Sequence, residues 1–142
     1  MSAATCPPLQ YAVPYAETDQ MGVVYYGHYL TYFERARTHV LRELGYAYGR
    51  LEADGFLLPV IEAHVNYLQP ARYEDVLTLS CRFETVSPVR IKALCEVRRG
   101  ADLLAHGHTI HVCVAKATQK PTRFPAAFVA QVQRGAGDPA PA

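Results

Sequence analysis

Apolar positions along the chain change period once, from a helical rhythm early to a strand rhythm later. Between Gly27 and Leu44, the residues Tyr29, Phe33, Ala36, Val40 and Leu44 recur at steps of four, three, four and four. That spacing places them on one stripe of an α-helix. Leu30, Arg37 and Leu41 flank the stripe and broaden it, which predicts a helix covered over much of its surface. Gly45 stands where a left-handed residue closes a helix. A weaker helical segment is predicted from Ala47 to Ala53, stopping near Gly55.

Ahead of the long helix, Leu9 to Pro14 reads as a short strand and the polar run AETDQMG as a loop. Behind it the period becomes two. Leu77, Leu79, Cys81 and Phe83 alternate with Thr78, Ser80, Arg82 and Glu84, and Ile91, Ala93, Cys95 and Val97 alternate with charged neighbours. RRGAD supplies a turn, Leu103 to Ala115 forms a further run, and Leu57 to Leu68 precedes them all. These strands run about 10–13 residues against a usual five or six. Long antiparallel strands beside one long helix predict an α+β architecture, a five-stranded sheet wrapped around that helix. At 142 residues the chain is expected to form a single domain over 1–142, with its core at about 9–128 and loose ends at 1–8 and 134–142.

Composition narrows the function. Fourteen basic and thirteen acidic residues leave a net charge of +1, which offers no electrostatic footprint for nucleic acid. No apolar run approaches the about 20 residues that cross a bilayer. The opening MSAATCPPLQ lacks the charged and apolar regions of a secretory signal, so a cytoplasmic protein without membrane insertion is expected. Cys6, Cys81, Cys95 and Cys113 are far apart and show no metal-ligand spacing. In a reducing compartment they read as small core residues.

The segment Tyr15 to Arg37, YAETDQMGVVYYGHYLTYFERAR, holds the candidate chemistry. It sets a Thr18-Asp19 pair and Gly22 in a loop directly before a helix start. A helix start offers unpaired N–H groups and a partial positive potential, which can hold the oxyanion formed when a carbonyl is attacked. Asp19 can reach the same carbonyl from the other side. The plainer alternative is that Thr18 and Asp19 only cap a turn.

This segment resembles the signature of the 4-hydroxybenzoyl-CoA thioesterase family of hotdog-fold proteins. The likeness continues through NYLQPARYEDVL (Asn66 to Leu77) and into KPTRFP (Lys120 to Pro125), covering roughly residues 10–125. It implies the hotdog fold and hydrolysis of an acyl-CoA thioester with no cofactor, coenzyme A being part of the substrate. Asp19 matches the family's catalytic aspartate, as nucleophile or as general base on water. Tyr26 matches the position whose backbone N–H polarises the thioester oxygen. Bacterial acyl-CoA relatives often carry His there, a departure that bears on acyl-group preference. Gly22, Tyr25 and His28 complete the expected substrate-binding set around this loop. The resemblance places nucleotide contacts near Arg90 and Lys92, with Arg72 and Arg123 as further options. It also implies a homodimer with a continuous sheet, or a homotetramer, with active sites at the interface.

Other candidates are weaker. Glu34 occupies a helix position that a second hotdog lineage uses for catalysis, but a pairing with Arg37 is the expectation. His106 and His108 share a strand face, with His111 on the other; without a nearby carboxylate they do not predict a metal site. His64 is a candidate lining residue without an assigned role. The tyrosines between Tyr11 and Tyr48 suit an acyl pocket or a core with polar handles. Two rivals to hydrolysis stand: a hotdog hydratase or dehydratase, and a non-catalytic acyl-CoA-binding domain.

Overall fold

The computed structural model describes residues 7–135; Cys6 and most of the two expected loose ends lie outside them. In chain order the elements are β1 (Leu9–Ala12), a 3₁₀ turn (Tyr15–Glu17), α1 (His28–Glu43), α2 (Tyr48–Ala53), β2 (Phe56–Leu57) and β3 (Val60–Tyr67). β4 (Val76–Ser87), β5 (Arg90–Arg99), β6 (Asp102–Val112), β7 (Val114–Ala115) and α3 (Ala126–Gly135) follow. The main sheet has the order β1-β4-β5-β6-β3, antiparallel throughout. One face of it wraps α1. This is the predicted α+β hotdog arrangement.

The helical stripe does what its spacing requires. Tyr29, Phe33, Ala36 and Val40 are at most 3% exposed, and Gly45 takes φ 81° past the helix end. Tyr32 joins them at 1% exposure, whereas Leu30, expected to widen the stripe, is 41% exposed. On the sheet, Leu77, Leu79 and Phe83 of β4 and Ile91, Ala93, Cys95 and Val97 of β5 are buried against the helix. Cys113 is buried too, and burial pushes its thiol pKa up to about 11, the behaviour of an unreactive core residue.

Three sequence expectations need correction. The run Leu57 to Leu68 is two strands, because Pro59 has no N–H to give a ladder. β2 therefore pairs with β7 in a separate small sheet while β3 pairs with β6. Residues 126–135 form a helix, so the second end is not loose at 134. The core likewise extends past 128, since Val132 is 3% exposed beside Phe124 and Phe128, whose rings stack at 5.1 Å.

β3 is the edge that decides what lies at the site. Seven of its eight residues are exposed. It approaches β6 closely at Gly107, where even a methyl group would sit 1.9 Å from the His64 carbonyl oxygen and 3.0 Å from the Phe33 ring. Glycine at 107 is what lets β3 lie against β6 over the helix.

Candidate active site

Past the 3₁₀ turn the chain reverses tightly. The Asp19 N–H donates to the Val23 carbonyl (2.9 Å) and the Gly22 N–H to the Asp19 carbonyl (3.0 Å). Thr18 and Val24 then face each other as an antiparallel bridge. Gly22 sits at φ 78° with open space around its α-carbon, so its backbone conformation favours glycine. The Asp19 Oδ1 accepts the Met21 N–H at 2.9 Å, the Asx-turn that the plainer reading anticipated. Its Oδ2 has no hydrogen-bond partner among the described residues.

From this loop the chain returns to α1 along an anchored link. The Val24 N–H donates to the Ala71 carbonyl (2.8 Å), which explains the buried Ala71 of the PAR turn, and the Tyr25 N–H donates to the Glu17 carbonyl (3.0 Å). The His28 and Tyr29 N–H groups close back onto the Tyr25 and Tyr26 carbonyls at 3.0 and 3.3 Å. Between these lie the amides of Tyr26 and Gly27, which have no acceptor among the described residues. The Gly27 N–H belongs to the helix N-cap and the Tyr26 N–H to the residue just before it. The Tyr67 hydroxyl donates to the Tyr26 carbonyl at 3.0 Å. That carbonyl shares a peptide group with the Gly27 N–H, so the bond strengthens the second donor.

Asp19 and Tyr26 line one cavity of about 280 Å³, walled by Val23, Tyr29, Tyr67 and Leu68. The arrangement sets a carboxylate and a residue with a free amide, Tyr26, on an apolar space, a combination able to activate an acyl carbonyl without a metal.

The other sequence candidates distribute unevenly. Tyr25 and His28 flank the cavity without lining it; the Tyr25 ring lies 4.6 Å from that of Tyr26 and 5.8 Å from that of His28. Arg90 and Lys92 lie on the outer face of β5, paired across strands with Val112 and with Glu84 and Ile110, away from this chain's own cavity. Strand alternation requires this, since Ile91 and Ala93 occupy the helix face. Arg72 instead reaches the loop, its Nη1 donating to the Gly22 carbonyl at 3.5 Å.

Glu34 does not pair with Arg37. The Arg37 Nη1 donates to the Thr109 Oγ1 (3.4 Å), and both Glu34 and Arg37 border a separate cavity of about 190 Å³. His106 and His108 do share the outer face, where His108 bonds Glu62 at 2.7 Å and stacks on His64. His64 therefore does not line the acyl cavity. His111 is buried on the opposite face between the Leu58 carbonyl and Thr109, and burial lowers its pKa. Among the described residues no group of three or more His, Cys, Asp and Glu side chains could hold a metal.

One feature went unread in the sequence. Glu17 receives hydrogen bonds from the hydroxyls of Tyr11 and Tyr32. The signals for it were an acid two residues before Asp19 and a tyrosine one helical step from Tyr29.

Comparison with known proteins agrees with this fold. The Bacillus subtilis protein YneP is 33% identical over 82% of this chain and 85% of its own. The acyl-CoA thioester hydrolase YbgC of Escherichia coli is 29% identical over 86% of this chain and 92% of its own. Among solved structures, the Thermus thermophilus protein TT1821 superposes with a TM-score of 0.84 at 34% identity, covering 89% of this chain and 97% of that one. Slr0204 of Synechocystis, a 1,4-dihydroxy-2-naphthoyl-CoA thioesterase, does so at 0.83 and 26%, over 89% and 95%. The sequence model of the thioesterase-like superfamily matches residues 13–132, a span that runs from the end of β1 through the cavity and into α3. With that span, this fold and these relatives, the chain belongs to the thioesterase-like superfamily.

Proposed function

We propose that the protein hydrolyses an acyl-CoA thioester to the free carboxylic acid and coenzyme A. The observation that carries this is the meeting on one apolar cavity of Asp19 and Tyr26, whose amide has no acceptor among the described residues. A thioester oxygen placed at that amide gains a hydrogen bond that strengthens as negative charge develops on it. The Asp19 Oδ2 then either attacks the carbonyl carbon, giving an anhydride that water cleaves, or takes a proton from an attacking water. In both routes the thiolate leaves as coenzyme A. The names of YbgC and Slr0204 support acyl-CoA as substrate class, and the TD…GVVY segment supports the 4-hydroxybenzoyl-CoA branch within the superfamily. Among the described residues no histidine lines the cavity, which disfavours a hydratase.

The test is release of free thiol from a panel of short, long and aromatic acyl-CoAs. Release from at least one is expected. Tight binding with no release from any would make the protein a binding domain, and hydration of an enoyl-CoA with its thioester intact would make it a hydratase.

The same reading includes a homodimer in the cytoplasm, with a homotetramer as a larger assembly of the same unit. Its support is β3, an eight-residue edge strand with Val60 and Ile61 each 49% exposed. An exposed edge of that length pairs readily with a second copy. A second subunit is also what would bring Arg90 and Lys92 to a neighbour's nucleotide. Sedimentation at micromolar concentration should give twice or four times the chain mass; a monomer would remove this part of the reading.

A further inference from the structure

We infer that Glu17 is a positioning residue for the reaction proposed above, holding the Asp19 loop and the Tyr26 amide in register from one junction. The inference rests on that reading of the site.

The argument is geometric. The Glu17 side chain is gripped at both oxygens: the Tyr32 hydroxyl donates to Oε1 at 2.6 Å and the Tyr11 hydroxyl to Oε2 at 2.5 Å. Tyr32 is 1% exposed in the middle of α1's buried face, and Tyr11 lies on β1 with its ring 5.3 Å from that of Tyr32. The same residue's carbonyl accepts the Tyr25 N–H at 3.0 Å, and its N–H donates to the Pro14 carbonyl at 3.1 Å. One residue thus ties together β1, α1, the loop that ends in Asp19 and the residue just before the free Tyr26 amide.

Hydrogen bonds from hydroxyls to a carboxylate are short and strong. Burial first, and Glu17 second, raise the Tyr32 pKa, so its hydroxyl remains a donor across the working range. No cation pairs with Glu17 among the described residues. Its charge is held by phenols alone, which suits an internal brace better than a surface ion pair. Asp19 follows Glu17 by two residues, and the Tyr26 amide follows directly on Tyr25, whose N–H the Glu17 carbonyl accepts. Loosening it shifts one relative to the other without removing either.

Glu17→Gln keeps the volume and removes the charge. In the full-length enzyme, assayed well below its unfolding midpoint, kcat should fall about ten- to hundredfold, with KM for the best acyl-CoA within about twofold. Tyr32→Phe should lower kcat in the same way but less. A merely structural role would lower the unfolding midpoint and leave the kcat of the folded enzyme alone. Full kcat in folded Glu17→Gln, or a raised KM at unchanged kcat, overturns the inference. If Glu17→Gln does not fold, the Tyr11→Phe, Tyr32→Phe double variant decides, and full kcat there overturns it equally. Asp19→Asn is run in parallel. Undiminished turnover in that variant removes the reading of the site itself, whereas an inactive Asp19→Asn beside a fully active Glu17→Gln removes only the role of Glu17.

Discussion

Asp19→Asn is expected to lower kcat by about 10²–10⁴-fold, the range a positioned acid or base contributes. The substitution is close to isosteric, and the turn should survive it. An amide oxygen still accepts the Met21 N–H that Asp19 Oδ1 accepts at 2.9 Å. What is lost is the charge and the second oxygen, which becomes a nitrogen with no lone pair to offer a carbon or a proton. The loss corresponds to about 3–5 kcal/mol of transition-state stabilisation. Steady-state kinetics beside a thermal melt checks it. A properly folded variant that turns over normally would take Asp19 out of the chemistry.

Tyr26→Pro is the second large effect, because it deletes an N–H and not a side-chain group. One oxyanion donor is worth about 10²–10³ in kcat, or about 3–4 kcal/mol. The start of a helix tolerates proline, since the N–H there has no partner in the helix to lose. Tyr26→Phe is the control: it keeps the amide and the ring, and should stay near full activity. Equal losses in both variants would transfer the role from the backbone to the phenol of Tyr26, a residue 63% exposed. Retained activity in a folded Tyr26→Pro would leave the Gly27 N–H as the donor that matters.

Much of this fold was legible because single periodicities set single faces. The stripe from Tyr29 to Leu44 and the alternation of β4 and β5 each follow from one rule applied along one element. The misses arise where two rules compete or where contacts cross the chain. Pro59 breaks a run whose alternation continues on both sides of it, so periodicity overrode a missing N–H. Phe124, Phe128 and Val132 are spaced by fours, a helical signal overlooked beside a tail rich in glycine and proline.

The site divides in the same way. Asp19, Gly22 and Tyr26 lie within one short segment, so local turn chemistry and the start of a helix bring them together. Tyr67 and Leu68 reach the cavity only through the β3–β6 pairing, and Glu17 finds Tyr11 and Tyr32 only once β1 and the helix are docked. Such contacts have no spacing to read. Arg90 and Lys92 show the converse: alternation alone places them on the outer face, but that face is remote from the cavity within one chain.

The bond from Tyr67 to the Tyr26 carbonyl has a practical corollary. It hangs a piece of the reaction centre on the last residue of an unprotected edge. If a second subunit steadies that edge, dilution would fray the strand before it unfolds the body. Specific activity per chain would then decline at low enzyme concentration, in assays where the bulk of the protein remains intact.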